Sequence, residues 1–111
     1  MAFDASLEVD NGIAKITVSG ELDASTAPVF KEEVEKAAGA EVKKLVLLMQ
    51  ELEYMASAGL RVLIFAKQKM GADVDIYLVG TQEMVLDTVK KTGFDHSVFL
   101  LDEYDAAQIE S

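Results

Sequence analysis

Leu45-Val46-Leu47-Leu48-Met49-Gln50-Glu51-Leu52-Glu53-Tyr54-Met55-Ala56-Ser57-Ala58-Gly59-Leu60 is the stretch on which the reading of this chain turns. Its first five residues are an unbroken apolar run of the kind a strand shows when both of its faces are buried. Gln50, Glu51 and Glu53 interrupt the run, and the strand is expected to end at Met49. Beyond Gly59, the apolar set Leu60, Val62, Leu63, Ile64, Phe65 and Ala66 leads to Lys67-Gln68-Lys69-Met70-Gly71. A basic last turn followed by glycine predicts a helix over residues 60–70. Ser57 then falls at or beside the helix N-cap, where orphan N–H groups and the helix dipole favour an anion by roughly 0.3–1 kcal/mol. One reading makes Ser57 an ordinary capping serine, worth about 1 kcal/mol. The other makes it a phosphate acceptor. Capping serines are common, so local chemistry by itself favours the first.

Outward from this stretch, strand and helix periods alternate. Phe3, Ala5, Leu7 and Val9 alternate with polar residues as in a half-exposed strand over 3–9, and Asn11-Gly12 supplies a hairpin dipeptide before a strand over 13–19. Asp23, Ser25 or Thr26 can cap the following helix, Pro28 suits its first turn, and Phe30, Val34, Ala37 and Ala38 form its apolar stripe up to Gly39. Residues 74–79 read as a strand, 81–91 as a helix, and 98–100 as a short last strand. No linker or low-complexity segment interrupts the order. The fold expected is α/β, with a mixed, mostly parallel sheet packed by helices.

Helical crossovers make the strands at 13–19, 45–49 and 74–79 parallel, so the loops at 20–26, 50–58 and 80–81 are expected to leave one edge of the sheet. Functional groups of open α/β sheets lie outside the carboxyl ends of their strands. Asp23, Glu51, Glu53, Ser57 and Thr81 are therefore expected to cluster, which strengthens the functional reading of Ser57.

A chain of 111 residues buries roughly two-thirds of its unfolded surface, enough for one core, and a single domain over 1–111 is expected. Without cysteine there is no disulfide framework and no thiolate metal site. No signal peptide or membrane-length apolar segment is visible, so the reading is cytoplasmic, without membrane insertion. Twenty acidic residues against ten basic ones give a net charge of −10, which opposes nucleic-acid binding in the absence of a basic patch. Solubility and helix-dipole complementation are the first reading of these charges; the sharper alternative is steering toward a partner with a positive surface.

Four segments in order resemble the STAS domain, the fold of the bacterial anti-sigma factor antagonists. Ala56-Ser57-Ala58-Gly59-Leu60 resembles the family's serine motif after a strand, and Gly20-Glu21-Leu22-Asp23 its signature after the second strand. Thr92-Gly93-Phe94-Asp95 with Val98-Phe99 resembles its turn before the last strand, and Asp102-Glu103-Tyr104-Asp105-Ala106-Ala107 its closing helix. The resemblance implies a regulatory binding module. In such antagonists the unphosphorylated domain binds an anti-sigma factor that is also a serine kinase; the kinase inactivates the domain by phosphorylating the motif serine, and a phosphatase reverses this. Ser57 aligns with that serine. The implied partner-binding surface comprises Gly20, Glu21, Leu22, Asp23, Met55, Ala56, Ser57, Ala58, Gly59 and Leu60. Where the family commonly has aspartate at the end of the third strand and just before the serine, this chain has Leu48 and Ala56. That departure leaves open a non-phosphorylated STAS subunit, in a signalling assembly or as a partner of a lipid-transport ATPase.

An enzyme is disfavoured: the chain has no phosphate loop of the G-x-x-x-x-G-K-[ST] type, no defensible acid/base pair and no cofactor motif. His96, the single histidine, follows Asp95 in an expected turn without a second ligand at metal spacing and reads as a solvated turn residue. Met49, Met55, Met70 and Met84 read as core filling rather than an adaptable binding face. Tyr54 and Phe65 fit either role. Tyr77 falls on the polar register of its strand and is exposed there unless a helix covers that face as well.

Overall fold

The structure, a computed structural model, describes residues 2–110. Strands β1 (Asp4–Asp10) and β2 (Ile13–Leu22) form an antiparallel hairpin whose turn residues Asn11 and Gly12 both take positive φ, 51° and 77°. That backbone matches the twist of the flanking strands, which is why Asn-Gly serves here. The order continues with α1 (Ala27–Ala38), β3 (Lys44–Met55), α2 (Ser57–Met70), β4 (Asp75–Val79), α3 (Glu83–Lys91), a 3-10 turn (Phe94–Ser97), β5 (Phe99–Leu101) and α4 (Ala106–Ile109).

The five strands lie side by side in chain order, and β2 to β5 run parallel. Each parallel strand is placed next to its predecessor in the same direction, so right-handed crossovers put α1, α2 and α3 on one face. The main core lies there: Ile16, Val18, Leu45, Leu47 and Leu78 of the sheet meet Phe30, Val34, Leu63, Ala66, Val85 and Val89 of the helices. The other face is left to the short α4, whose Ile109 is fully buried against Ile13, Val46, Tyr77 and Val79. Lys44 Nζ donates to the Ile109 carbonyl at 2.5 Å, and Lys15 Nζ lies 4.6 Å from the Tyr104 ring centre and 3.8 Å from Glu110. Cations at a helix C-terminus satisfy its last carbonyls and complement its dipole.

This second layer decides the position of Tyr77. The residue is 4% exposed, stacked on Phe99 with ring centres 4.9 Å apart, so its face is covered as the alternative reading allowed. Met49 and Met55 are buried and Met70 packs partly against the core, but Met84 is 64% exposed, contrary to the core-filling expectation. The inward positions of α3 are taken by Val85 and Val89.

The largest difference from the sequence reading is the length of β3, which continues past Met49 to Met55. Opposite β2, Thr17 meets Leu48, Ser19 meets Glu51, Gly20 meets Leu52 and Glu21 meets Tyr54. Each of the two register shifts inserts one extra residue in β3, as a bulge does. The positions buried toward the helices are thus 45, 47, 49, 52 and 55, with Val46 buried on the opposite face, and the exposed pairs Gln50-Glu51 and Glu53-Tyr54 fall at the two register shifts. The polar residues occupy outward strand positions and do not end the strand. β2 likewise runs on to Leu22, so residues 20–22 are strand and not loop. At the C-terminus, Asp105 caps α4 by accepting from the Ala107 and Gln108 amides at 3.1 and 3.3 Å, so the closing helix starts later than the segment 102–107 implied. α3 starts at Glu83 instead of Thr81.

Candidate partner-binding site

Helix α2 begins directly at the end of β3. Ala56 is its N-cap, with the extended backbone (φ −83°, ψ 173°) usual there, and Ser57 is the first helical residue. The Gly59 and Leu60 amides both donate to the Ala56 carbonyl, at 3.0 and 3.2 Å. The Ser57 and Ala58 amides have no backbone acceptor among the described residues. Ser57 is exposed. The capping-serine reading is therefore set aside, because the cap position belongs to Ala56, which has no side chain to fill it.

The helix can start this early because residue 59 is glycine. A Cβ there would lie 2.6 Å from Leu22 Cγ and 2.8 Å from Met55 Cγ, closer than carbon atoms pack. Gly59 therefore lets the first turn of α2 rest on the ends of β2 and β3, where Leu22 and Met55 are register partners. The Ala56 amide closes the junction by donating to the Leu22 carbonyl at 2.8 Å.

On the β2 side, Gly20 takes φ +87° and lies against the Ala2 backbone, which leaves no room for a side chain. Asp23 organises the turn into α1. Its Oδ1 accepts from the Ser25 hydroxyl at 2.7 Å, the Ser25 amide at 2.9 Å and the Thr26 amide at 3.2 Å. These bonds, the Ser25 hydroxyl foremost, hold the Asp23 carboxyl below its ordinary value of 3.8. The Asp23 amide in turn donates to Thr26 Oγ1 at 2.9 Å, and the Thr26 hydroxyl donates to the Glu21 carbonyl at 3.0 Å.

The structure thus brings Gly20, Glu21, Leu22 and Asp23 against Met55, Ala56, Ser57, Ala58, Gly59 and Leu60. Glu21 and Ser57 are exposed, Asp23, Ala56 and Ala58 half-buried, and Gly20, Leu22, Met55, Gly59 and Leu60 buried, so the first five present the surface and the others shape it. Thr81 does not join them. β4 ends at Val79 opposite Leu48, and the Thr81 hydroxyl lies 3.9 Å from the Met49 sulfur. At about 3.3 Å per residue, the rest of β3 separates it from Ser57 by roughly 20 Å. The expected cluster is corrected accordingly: strand ends share an edge only when the strands are of equal reach. Arg61, exposed one turn after Ser57, joins this surface, a neighbour that the spacing of four residues signals once the helix begins at Ser57. Tyr54, half-open to solvent beside Glu53, belongs to the surface.

The STAS domain family model matches residues 4–107. The chain belongs to the STAS domain family. This STAS chain is 26% identical over 85 residues to the anti-sigma-F factor antagonist RsfB of Mycobacterium tuberculosis, covering 77% of this chain and 70% of RsfB. Its fold is that of an anti-sigma factor antagonist from Mycobacterium paratuberculosis, with a TM-score of 0.89 at 22% identity over 99% of this chain and 96% of the other. It is also that of Bacillus SpoIIAA, an anti-sigma factor antagonist solved in two states. The unphosphorylated form gives a TM-score of 0.78 at 17% identity, covering 98% and 94% of the two chains, and the phosphorylated form 0.72 at 16%, covering 98% and 97%. At the two positions where the STAS chain lacks the family's aspartates, Leu48 packs beside the layer under α4 and Ala56 caps α2. No described helix is long and apolar enough to cross a membrane.

Proposed function

We propose that this STAS chain is an anti-sigma factor antagonist: a binding protein that engages an anti-sigma factor with serine-kinase activity and is released when Ser57 is phosphorylated. The observation that carries the reading is the placement of Ser57, exposed at the first position of α2, spent on no cap, and one residue from the Ala56 bond to Leu22. Similarity to RsfB over most of the chain supports it. A phosphate on Ser57 adds about −1.5 to −2 charges. The Ser57 and Ala58 amides and Arg61, four residues on, are donors and a cation within its reach, while Glu21, Asp23 and Glu53 add negative field. In a desolvated interface that charge disfavours the complex unless the partner supplies a cation. The ATP chemistry belongs to the kinase, a phosphatase restores the binding form, and the chain itself contributes recognition.

A second reading, a STAS subunit that binds without being phosphorylated, is favoured by Ala56, which leaves the residue before Ser57 without the family's carboxylate. The test is affinity capture from the native cell, followed by labelling of wild type and Ser57→Ala by the captured kinase. Capture of a kinase that labels wild type and not Ser57→Ala supports the switch. Binding without labelling selects the second reading, and equal labelling of both proteins removes Ser57 from the mechanism.

A further inference from the structure

The sheet is uneven at the end that carries Ser57. β4 pairs with β3 only as far as Val79 opposite Leu48, while β3 continues through residues 49–55 with β2 as its one strand partner. On the β4 side of this overhang, the hydrogen-bond partner found among the described residues is the Gln82 side-chain amide, which donates to the Gln50 carbonyl at 2.8 Å. Residues 51–55 thus present an open strand edge of roughly 17 Å, at about 3.3 Å per residue. Such an edge is a template for another extended chain.

The side chains along it state what that chain carries. Leu52 and Met55 are turned into the core, whereas Glu51, Glu53 and Tyr54 are exposed. Glu51 and Glu53 form no ion pair among the described residues. A second copy of the same edge is the wrong occupant, because pairing would set these glutamates against each other within a chain of net charge −10, and like charges across strands are destabilising. Acidic residues guard an edge against self-association and, for the same reason, attract a basic strand. The exposed Tyr54 ring offers a face to a lysine or arginine.

We propose that the overhanging edge of β3, residues 51–55, is a docking site for an extended lysine- or arginine-bearing segment of a partner protein, which adds to the sheet as a strand beside β3. The edge borders the Ser57 surface and shares Met55 with it, but its use needs neither phosphate nor kinase, so loss of the Ser57 switch would leave it intact. The test uses the isotope-labelled full chain, titrated at low salt with a synthetic peptide of alternating lysine and valine. Two controls accompany it: the same peptide with glutamate for lysine, and the lysine peptide N-methylated at alternate amides. The expected result is chemical-shift change and slowed amide exchange confined to residues 50–55 and Gln82, with binding at least tenfold weaker for both controls. Glu51→Lys combined with Glu53→Lys reverses the preference between the lysine and glutamate peptides. Equal binding of the N-methylated peptide, shifts centred on β1 or β5, or no shift at millimolar peptide overturns the proposal.

Discussion

The Ala56 amide donates to the Leu22 carbonyl at 2.8 Å, and this bond holds the start of α2 to the residue that precedes Asp23. A charge placed on Ser57 is therefore delivered beside the turn organised by Asp23, although the two segments are more than thirty residues apart in the chain.

Ala56→Asp should stabilise the protein. The backbone at position 56 already has cap geometry, and a carboxylate there would accept from orphan amides of the first turn. The expected gain is about 1 kcal/mol, read as a higher urea midpoint at unchanged slope. A lower midpoint would contradict the assignment of Ala56 as the cap.

Ser57→Ala should change stability by no more than about 0.5 kcal/mol, as expected of an exposed position without a capping role. Ser57→Asp should gain roughly 0.3–1 kcal/mol from the helix dipole while weakening partner binding. Stability and binding moving in opposite directions is the signature to measure, by thermal unfolding and by calorimetric titration of the captured partner.

Gly59→Ala pits helix propensity against packing. Alanine is better than glycine in a helix by about 1 kcal/mol, but its Cβ would meet Leu22 Cγ at 2.6 Å. Overpacking of this kind costs about 1–3 kcal/mol, so a net loss is expected. In a Leu22→Ala background the same substitution should cost less, and a double-mutant cycle without coupling between the two sites would refute the contact.

Asp23 should contribute acid sensitivity. Its folded pKa is depressed below 3.8 by the Ser25 and Thr26 hydrogen bonds, so its contribution is present above the unfolded value and is lost as pH falls through the folded one. Asp23→Asn keeps an acceptor oxygen but cannot titrate. Unfolding curves collected from pH 5 down to about pH 2 should show a shallower fall for the variant than for wild type. Parallel curves would show that the Asp23 bonds do not distinguish its two protonation states.

Ile109→Ala should loosen the C-terminal cover of the sheet without melting the main core. α4 spans only Ala106–Ile109, too short to persist without its buried side chain. Amide exchange should rise first over residues 102–110, with β2 and β3 retaining protection. A uniform rise across the sheet would show that the two apolar layers unfold as one unit.

Much of the fold was legible because it rests on local chemistry. The Asn11-Gly12 turn, the apolar run at residues 45–49, Pro28 at the start of α1 and the basic last turn of α2 each carry their own signal within a few residues. Ser57 is marked by the strand-to-helix handover around it, whereas the Gly20-Glu21-Leu22-Asp23 segment stands out only by its family resemblance, and the structure places the two together. The place of Thr81 is not legible because β3 outreaches β4, and the continuation of β3 is not legible because a two-residue period does not survive a bulge.

The sequence by itself determined which segments are strands and helices, because side-chain periodicity and the backbone preferences of glycine, proline and asparagine act over a few residues. Tertiary structure decided how far β3 extends, that α2 begins at Ser57, that Tyr77 is covered by the C-terminal segment, and that Met84 faces solvent. These features depend on which strand or helix lies alongside. Bulges exist only in register with a partner, and a helix starts where its first turn finds room against Leu22 and Met55, so neither is written in any short run of residues.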